Sequence, residues 1–133
     1  NIQAAEIHEN PFADSYPCYG GNGIRGYVAT PNRTGDYPII GRQGALCGNI
    51  NRATGVFYAT EHAVCVETYS QISVAWACLF LTALNLNQYA TATAQPGLAV
   101  ANINEVYIPL PPLAEQHRII QRIEESLPLL KGL

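Results

Sequence analysis

The chain has 133 residues, 48% of them hydrophobic and 13% charged, with a formal net charge of −3. That length suits one domain with a real core and room for an appended element, and the apolar content excludes wholesale disorder. The acidic balance excludes a histone-like or polybasic binder, which needs a large basic excess.

Residues 1–15 are polar and irregular, with Pro11 marking a loop and no basic n-region of a signal peptide. Residues 16–60 are crowded with glycine (Gly20, Gly21, Gly23, Gly26, Gly35, Gly41, Gly44, Gly48, Gly55) and punctuated by Pro17, Pro31 and Pro38. Between these lie short β-like runs: Gly26 to Thr30, Tyr37 to Ile40, Val56 to Thr60 and Ala63 to Glu67. Such a pattern predicts short strands joined by tight turns. Ile72, Ala75, Trp76, Leu79, Phe80, Ala83 and Leu84 then recur at spacings of three and four, which predicts a buried amphipathic helix within 70–87. This apolar stretch is too short to span a bilayer. Residues 88–104 are polar, with Gln95-Pro96-Gly97 as a turn, and Val106 to Leu110 reads as a short strand. Pro111-Pro112 ends that strand and opens a last helix. In it Leu113, Ile120 and Leu127 are seven apart, and Ile123 and Leu130 follow the last two by three. This is an a/d stripe over nearly three heptads, with Gln116 the polar exception, and it predicts the start of a coiled coil. The chain contains no Met, even at position 1, so a fragment or a processed chain is expected.

Little in the sequence points to catalysis. Cys18, Cys47, Cys65 and Cys78 are too sparse for a disulfide scaffold and read as reduced thiols. His62-Ala-Val-Cys65 has a metal-ligand spacing but no second close pair, so no metal site is predicted. Gly21-Asn22-Gly23-Ile24-Arg25-Gly26 fits G-x-G-x-x-G. A weak strand precedes it, however, and Tyr27-Val28-Ala29-Thr30-Pro31 follows it and cannot open a helix, so the dinucleotide fingerprint fails on context. There is no nucleophile elbow and no phosphate loop. Asn10-Pro11-Phe12 is not the Asn-Pro-Pro-aromatic motif of amino-group DNA methyltransferases. Lys131 is the only lysine, too little for a two-acid-plus-lysine nuclease. His8, His62 and His117 lack nucleophile partners, although a small-molecule enzyme built on Glu61 and His62 is one rival reading, and it requires a closed pocket around that pair. No catalytic residue and no cofactor are predicted.

Charge is unevenly spread. Between Tyr16 and Thr60 the charged residues are Arg25, Arg33, Arg42, Arg52 and Asp36, a net +3 inside a chain of net −3. The same segment holds five tyrosines and the amides of Asn22, Asn32, Gln43, Asn49 and Asn51. Arginine makes forked contacts to phosphate or guanine, and Asn or Gln can pair with an adenine edge. Exposed N–H groups of glycine loops also approach phosphates closely. The plainer alternative is a solvated loop surface with core-packing tyrosines.

Several of these runs together resemble a known family. They are Tyr19-Gly20-Gly21-Asn22-Gly23-Ile24-Arg25-Gly26-Tyr27, then Ile39-Ile40-Gly41-Arg42-Gln43-Gly44-Ala45-Leu46-Cys47-Gly48-Asn49-Ile50, then Phe57-Tyr58-Ala59-Thr60-Glu61-His62-Ala63. Ile108-Pro109-Leu110-Pro111-Pro112-Leu113-Ala114-Glu115-Gln116 completes the set. In this order, over nearly the whole chain, they resemble the target recognition domain of type I restriction–modification specificity subunits. The resemblance implies an α+β fold: a compact mixed α/β recognition domain over 1–112 with short strands and glycine-rich loops. A helix over 113–133 would then begin a coiled-coil spacer. It implies a non-catalytic, cytoplasmic module that reads one half of a bipartite site in double-stranded DNA. Its implied partners are methyltransferase subunits and, through them, the restriction subunit. A second recognition domain, or a homodimer through the last helix, would supply the other half-site.

Arg25, Arg33, Arg42, Arg52, Asn22, Gln43, Asn49 and Asn51 are the candidate DNA contacts. Gly21, Gly23, Gly26, Gly41, Gly44 and Gly48 would shape loops, and Leu113, Ile120, Ile123, Leu127 and Leu130 would pack the helix on its partner. Arg42 equally fits a buried structural role. The chain departs from the family by lacking its usual opening strand and most of the spacer. The competing reading is a protein-interaction or oligomerisation module acting through the heptad helix.

Overall fold

The computed structural model describes residues 2–91 and 96–131, with 127–131 as helical backbone. Five strands form one mixed sheet in the order β2-β1-β4-β3-β5. β1 (Tyr16–Gly20) and β2 (Gly23–Val28) make an antiparallel hairpin across Gly21-Asn22, with an irregularity at Cys18/Tyr19. β3 (Arg33–Gly41) and β4 (Ile50–Ala59) pair antiparallel without a break from Arg33↔Phe57 to Ile40↔Ile50. The far end of β4 lies parallel to β1, and β5 (Ala63–Cys65) adds antiparallel to β3.

The unbroken β3–β4 register sorts side chains by parity, because alternate strand residues face opposite ways. Odd-numbered residues of both strands join one core: Ile39, Ala53 and Phe57 pack with Tyr19 of β1 and Ala63 of β5. Phe57 lies edge-on to Tyr19 (centroids 5.4 Å) and to Tyr37 (6.2 Å), and burying such a ring contributes about 1.5–3 kcal/mol. Even-numbered residues face the other way. Ile40 and Ile50 meet Cys47, Leu81, Leu86 and Leu98 in a second core, under helix α1 (Val74–Leu84). The sheet curls around the first core. Strands two places apart in a flat sheet lie about 10 Å apart. Yet the Gly21 carbonyl, just beyond β1, rests against Gly41 at the end of β3, where any Cβ would collide with it.

α1 begins where Ser73 accepts a bond from the Trp76 amide (2.9 Å), an N-cap worth about 1 kcal/mol. It ends at Asn85 in the left-handed conformation. The 3-10 turn Leu86–Tyr89 and a single turn α2 (Val100–Ile103) follow. Gln95 of the predicted turn lies outside the described residues.

The expected strand at Val106 to Leu110 does not form. This stretch is a connector with no strand partner, and Tyr107 is 94% exposed. Pro109 and Pro111 lack the N–H groups that would have faced a neighbouring strand.

α3 (Leu113–Lys131) starts at the predicted residue. Leu113 and Ile120 are half-buried, whereas Ile123 is exposed; the side chains of Leu127 and Leu130 lie outside the described residues. Gln116, the polar exception in the stripe, is fully buried. Its amide nitrogen donates to the carbonyls of Gln71 (2.8 Å) and Pro111 (2.9 Å), and its oxygen accepts from the Ser73 amide (2.9 Å). One side chain thereby ties the start of α3 to the cap of α1.

Candidate nucleic-acid interface

The turns at the ends of β1, β3 and β4 meet on one surface. Arg25 of β2, Asn32 and Arg33 at the start of β3, Tyr58 of β4, and Glu61 and His62 line an open cleft of about 380 Å³. A second cleft, of about 550 Å³, is lined by Gly21, Gln43, Gly44, Pro96 and Gly97 and shares His62 with the first.

The first cleft has a firm frame. Asn32 donates to the Ala59 carbonyl (3.0 Å) and accepts from the Ala59 amide (2.8 Å), a two-point pairing that extends the ladder by one side chain. The Arg33 guanidinium lies over the Tyr37 ring, 5.8 Å from its centroid, and 3.8 Å from the Glu67 carboxylate. Both charges are solvent-exposed, so the pair is worth well under about 1 kcal/mol and an anion can displace it. Arg25 covers Gly20 and, among the described residues, pairs with no carboxylate.

The loop between β3 and β4 is held by its backbone. Gly48 has φ +92°, and a Cβ there would lie 2.5 Å from the Asn87 amide nitrogen, so glycine is required twice over. The Asn87 side chain donates to the carbonyls of Cys47 (2.8 Å) and Ala45 (3.3 Å). Turned so that its nitrogen meets carbonyls, the Asn49 amide donates to Gly21 (2.8 Å) and Leu46 (3.2 Å), while its oxygen faces Asn22. Arg42 is half-buried; its amide donates to the His62 carbonyl (3.0 Å) and its carbonyl accepts from Leu98 (2.8 Å). Gln43 is exposed, on a single bridge to Gly97. Asn51 lies against Gly23, and Gly26 lies tightly beneath His8 of the leading segment.

Arg52 sits apart from this group. Its even number puts it on the α1 side of the sheet, where it grips Asp36 through two bonds of 2.9 and 2.7 Å. These bonds hold the Asp36 carboxyl below its ordinary range. The pair borders a recess with Ser73, His117 and Ile120 of the helices. So the fold brings Arg25, Arg33 and Gln43 to the two clefts, sets Asn49 against Gly21 and Asn22 as part of the loop's frame, and directs Arg52 elsewhere. It also adds Asn32, Tyr58, Glu61 and His62, which were not among the expected contacts. The available signal was a titratable pair, Glu61-His62, directly after a strand.

The Glu61–His62 pair (3.8 Å) lies on this open surface and not in a closed pocket. All four cysteines are unpaired, and burial pushes the thiols of Cys18, Cys65 and Cys78 up. Among the described residues no three His, Cys, Asp or Glu side chains gather as a metal site would require.

The family model described as type I restriction modification DNA specificity domain matches residues 14–126. The chain belongs to that family. It is 55% identical over 101 residues to the type I restriction enzyme EcoprrI specificity subunit of Escherichia coli, a match covering 76% of this chain and 25% of that protein. It is 26% identical over 111 residues to a putative type I restriction enzyme specificity subunit of Haemophilus influenzae, covering 81% of this chain and 29% of that one. The chain thus spans about a quarter of the length of the curated relatives it matches. Among solved structures, the S subunit of a type I restriction–modification system from M. genitalium superposes with a TM-score of 0.77 at 16% identity, over 99% of this chain and 36% of that one. The HsdS subunit of Thermoanaerobacter tengcongensis superposes at 0.66 and 18% identity, over 95% of this chain and 35% of the other. These likenesses establish the mixed sheet and flanking helices as the fold of the specificity-subunit recognition domain.

Proposed function

We propose that this chain is a non-catalytic module that reads duplex DNA by sequence, as one half-site reader of a type I restriction–modification complex. The observation that carries it is the convergence of Arg25, Arg33, Asn32 and His62 on one cleft beside Gln43. Two arginines supply phosphate or guanine contacts, Asn32 holds the cleft's wall, and the Gln43 amide and His62 supply the directional groups that sequence reading needs. Arg42 and Asn49 help shape the loop. In this reading residues 1–112 are the recognition domain, and α3 begins a coiled-coil spacer that meets a partner helix and the methyltransferase subunits, through which the restriction subunit joins. The complex works in the cytoplasm; among the described residues no helix is long and apolar enough to cross a membrane.

The test is selection from a randomised duplex library, followed by titration of the enriched duplex against a scrambled one. Enrichment of a short motif with at least about tenfold preference supports the reading; equal binding of both duplexes refutes it. One observation favours the interaction-module alternative as a companion role: Ile123 is exposed on α3, on the stripe that a partner helix would cover. Sedimentation with and without residues 113–133 tests that role directly.

A further inference from the structure

His62 is placed unlike any other polar side chain of the interface. It belongs to both clefts, so it stands at the wall between them. Its backbone is fixed on two sides: its amide donates to Thr60 Oγ1 (3.3 Å) and its carbonyl accepts from Arg42 (3.0 Å). The side chain is 33% exposed, yet Nδ1 is buried with no hydrogen-bond partner. A proton on Nδ1 would be a buried donor without an acceptor, the costlier kind of orphan. Nε2 lies 3.8 Å from Glu61 Oε1, and that carboxylate attracts the proton outward. The neutral ring therefore presents Nε2–H to the cleft. Glu61, with its side chain 59% exposed, presents an acceptor beside that donor.

We infer that Glu61 and His62 form a paired acceptor and donor that reads a base edge in the major groove, an assignment that rests on the DNA-reading role proposed above. The flanking charges divide the work. Arg25 and Arg33 in the same cleft suit phosphate, whereas the Glu61 carboxylate repels it and leaves the pair for an uncharged edge. A donor beside an acceptor complements an edge that shows an acceptor beside a donor. Adenine offers this with N7 and its N6 amino group. The pair is the charged-acceptor counterpart of an Asn or Gln amide, with the two functions on adjacent residues.

The experiment is selection of the 133-residue chain on a randomised duplex library, in parallel with Glu61→Leu and His62→Phe, each first shown to melt like the parent. Glu61→Leu keeps the bulk of the side chain and removes its acceptor; His62→Phe keeps an aromatic ring and removes Nε2. We expect both variants to enrich the parent motif except at one and the same position. There the preference for adenine falls roughly ten- to a hundredfold, and the salt dependence of binding stays as in the parent. Unchanged preference at every position in either variant overturns the inference alone. So does a uniform loss of affinity at all positions. A parent chain that enriches no motif overturns the DNA-reading proposal, and this inference with it.

Discussion

Replacing Gln116 by Leu tests whether a polar residue in an apolar stripe is what joins α3 to the domain. Leucine is close to glutamine in size, so the site does not empty. What it loses is three bonds, to the Ser73 amide and to the Gln71 and Pro111 carbonyls, all between 2.8 and 2.9 Å. A buried backbone group left without a partner costs about 1–3 kcal/mol. The two linkers are partly exposed, so water reaches some of these groups and about 1.5 kcal/mol each is the better figure. The extra apolar burial of leucine returns about 1.5 kcal/mol. A loss of about 3 kcal/mol remains, a large share of the total stability of a domain. In urea, followed by far-UV circular dichroism, the midpoint should fall by about 1.5–2 M for a chain of this size. Amide exchange should rise first at residues 71–76 and 113–118. Gln121→Leu is the control, since its amide is exposed and reaches only Glu125 (3.3 Å); it should shift stability by under about 0.5 kcal/mol. A Gln116→Leu midpoint equal to that of the parent would refute the reasoning.

The remaining predictions separate interface from frame. Arg25→Ala and Arg33→Ala should each weaken DNA binding and lower the slope of log K against log salt by about 1, measured by fluorescence anisotropy. Arg52→Ala should leave that slope unchanged and lower the melting temperature. Asp36 has its folded pKa held below the ordinary value by Arg52, so the pair stabilises above about pH 4 and that contribution fades as pH falls through the depressed value. Melting temperature against pH should therefore drop more steeply below pH 4 in the parent than in Asp36→Asn; identical acid limbs would count against the pair. Gly41→Ala drives a methyl group into the Gly21 carbonyl and should destabilise by more than about 2 kcal/mol in the same urea assay.

The elements with strong local signals were legible. The three-four spacing from Ile72 to Leu84 became α1, and Pro111-Pro112 opened α3 at Leu113. The strands were legible in part: β3 begins at Arg33 and β4 at Ile50, each several residues before its apolar run, β5 ends at Cys65 before its run does, and β1 reads only as a weak strand. The first half of β3 is polar because it pairs with Thr54 to Val56 in the exposed part of the ladder, and alternation there is masked by Gly35 and Gly55. What the sequence hid was register. A slip of one residue exchanges the faces of a strand, and only the pairing of Pro38 with Arg52 sends that arginine to the helices. Arg33 and Arg52 look alike in the sequence, and parity alone separates them.

Within the motifs that carried the resemblance, several residues are spent on the fold itself. Gly41 receives the Gly21 carbonyl, Gly48 admits the Asn87 backbone, and Gln116 ties two helices. None of these has a group to spare for a ligand. The free groups stand beside them: Arg25 and Arg33 on β2 and β3, and Gln43 and Glu61-His62 on the turns that follow β3 and β4. Such turns tolerate exchange because their backbone bonds are made by neighbours such as Asn32 and Asn87 through side chains that face inward. A frame that fixes loop ends while leaving loop tips chemically free is what a reader of many sequences requires. Changing the sequence read then needs new side chains at a few tips, and it costs the core nothing.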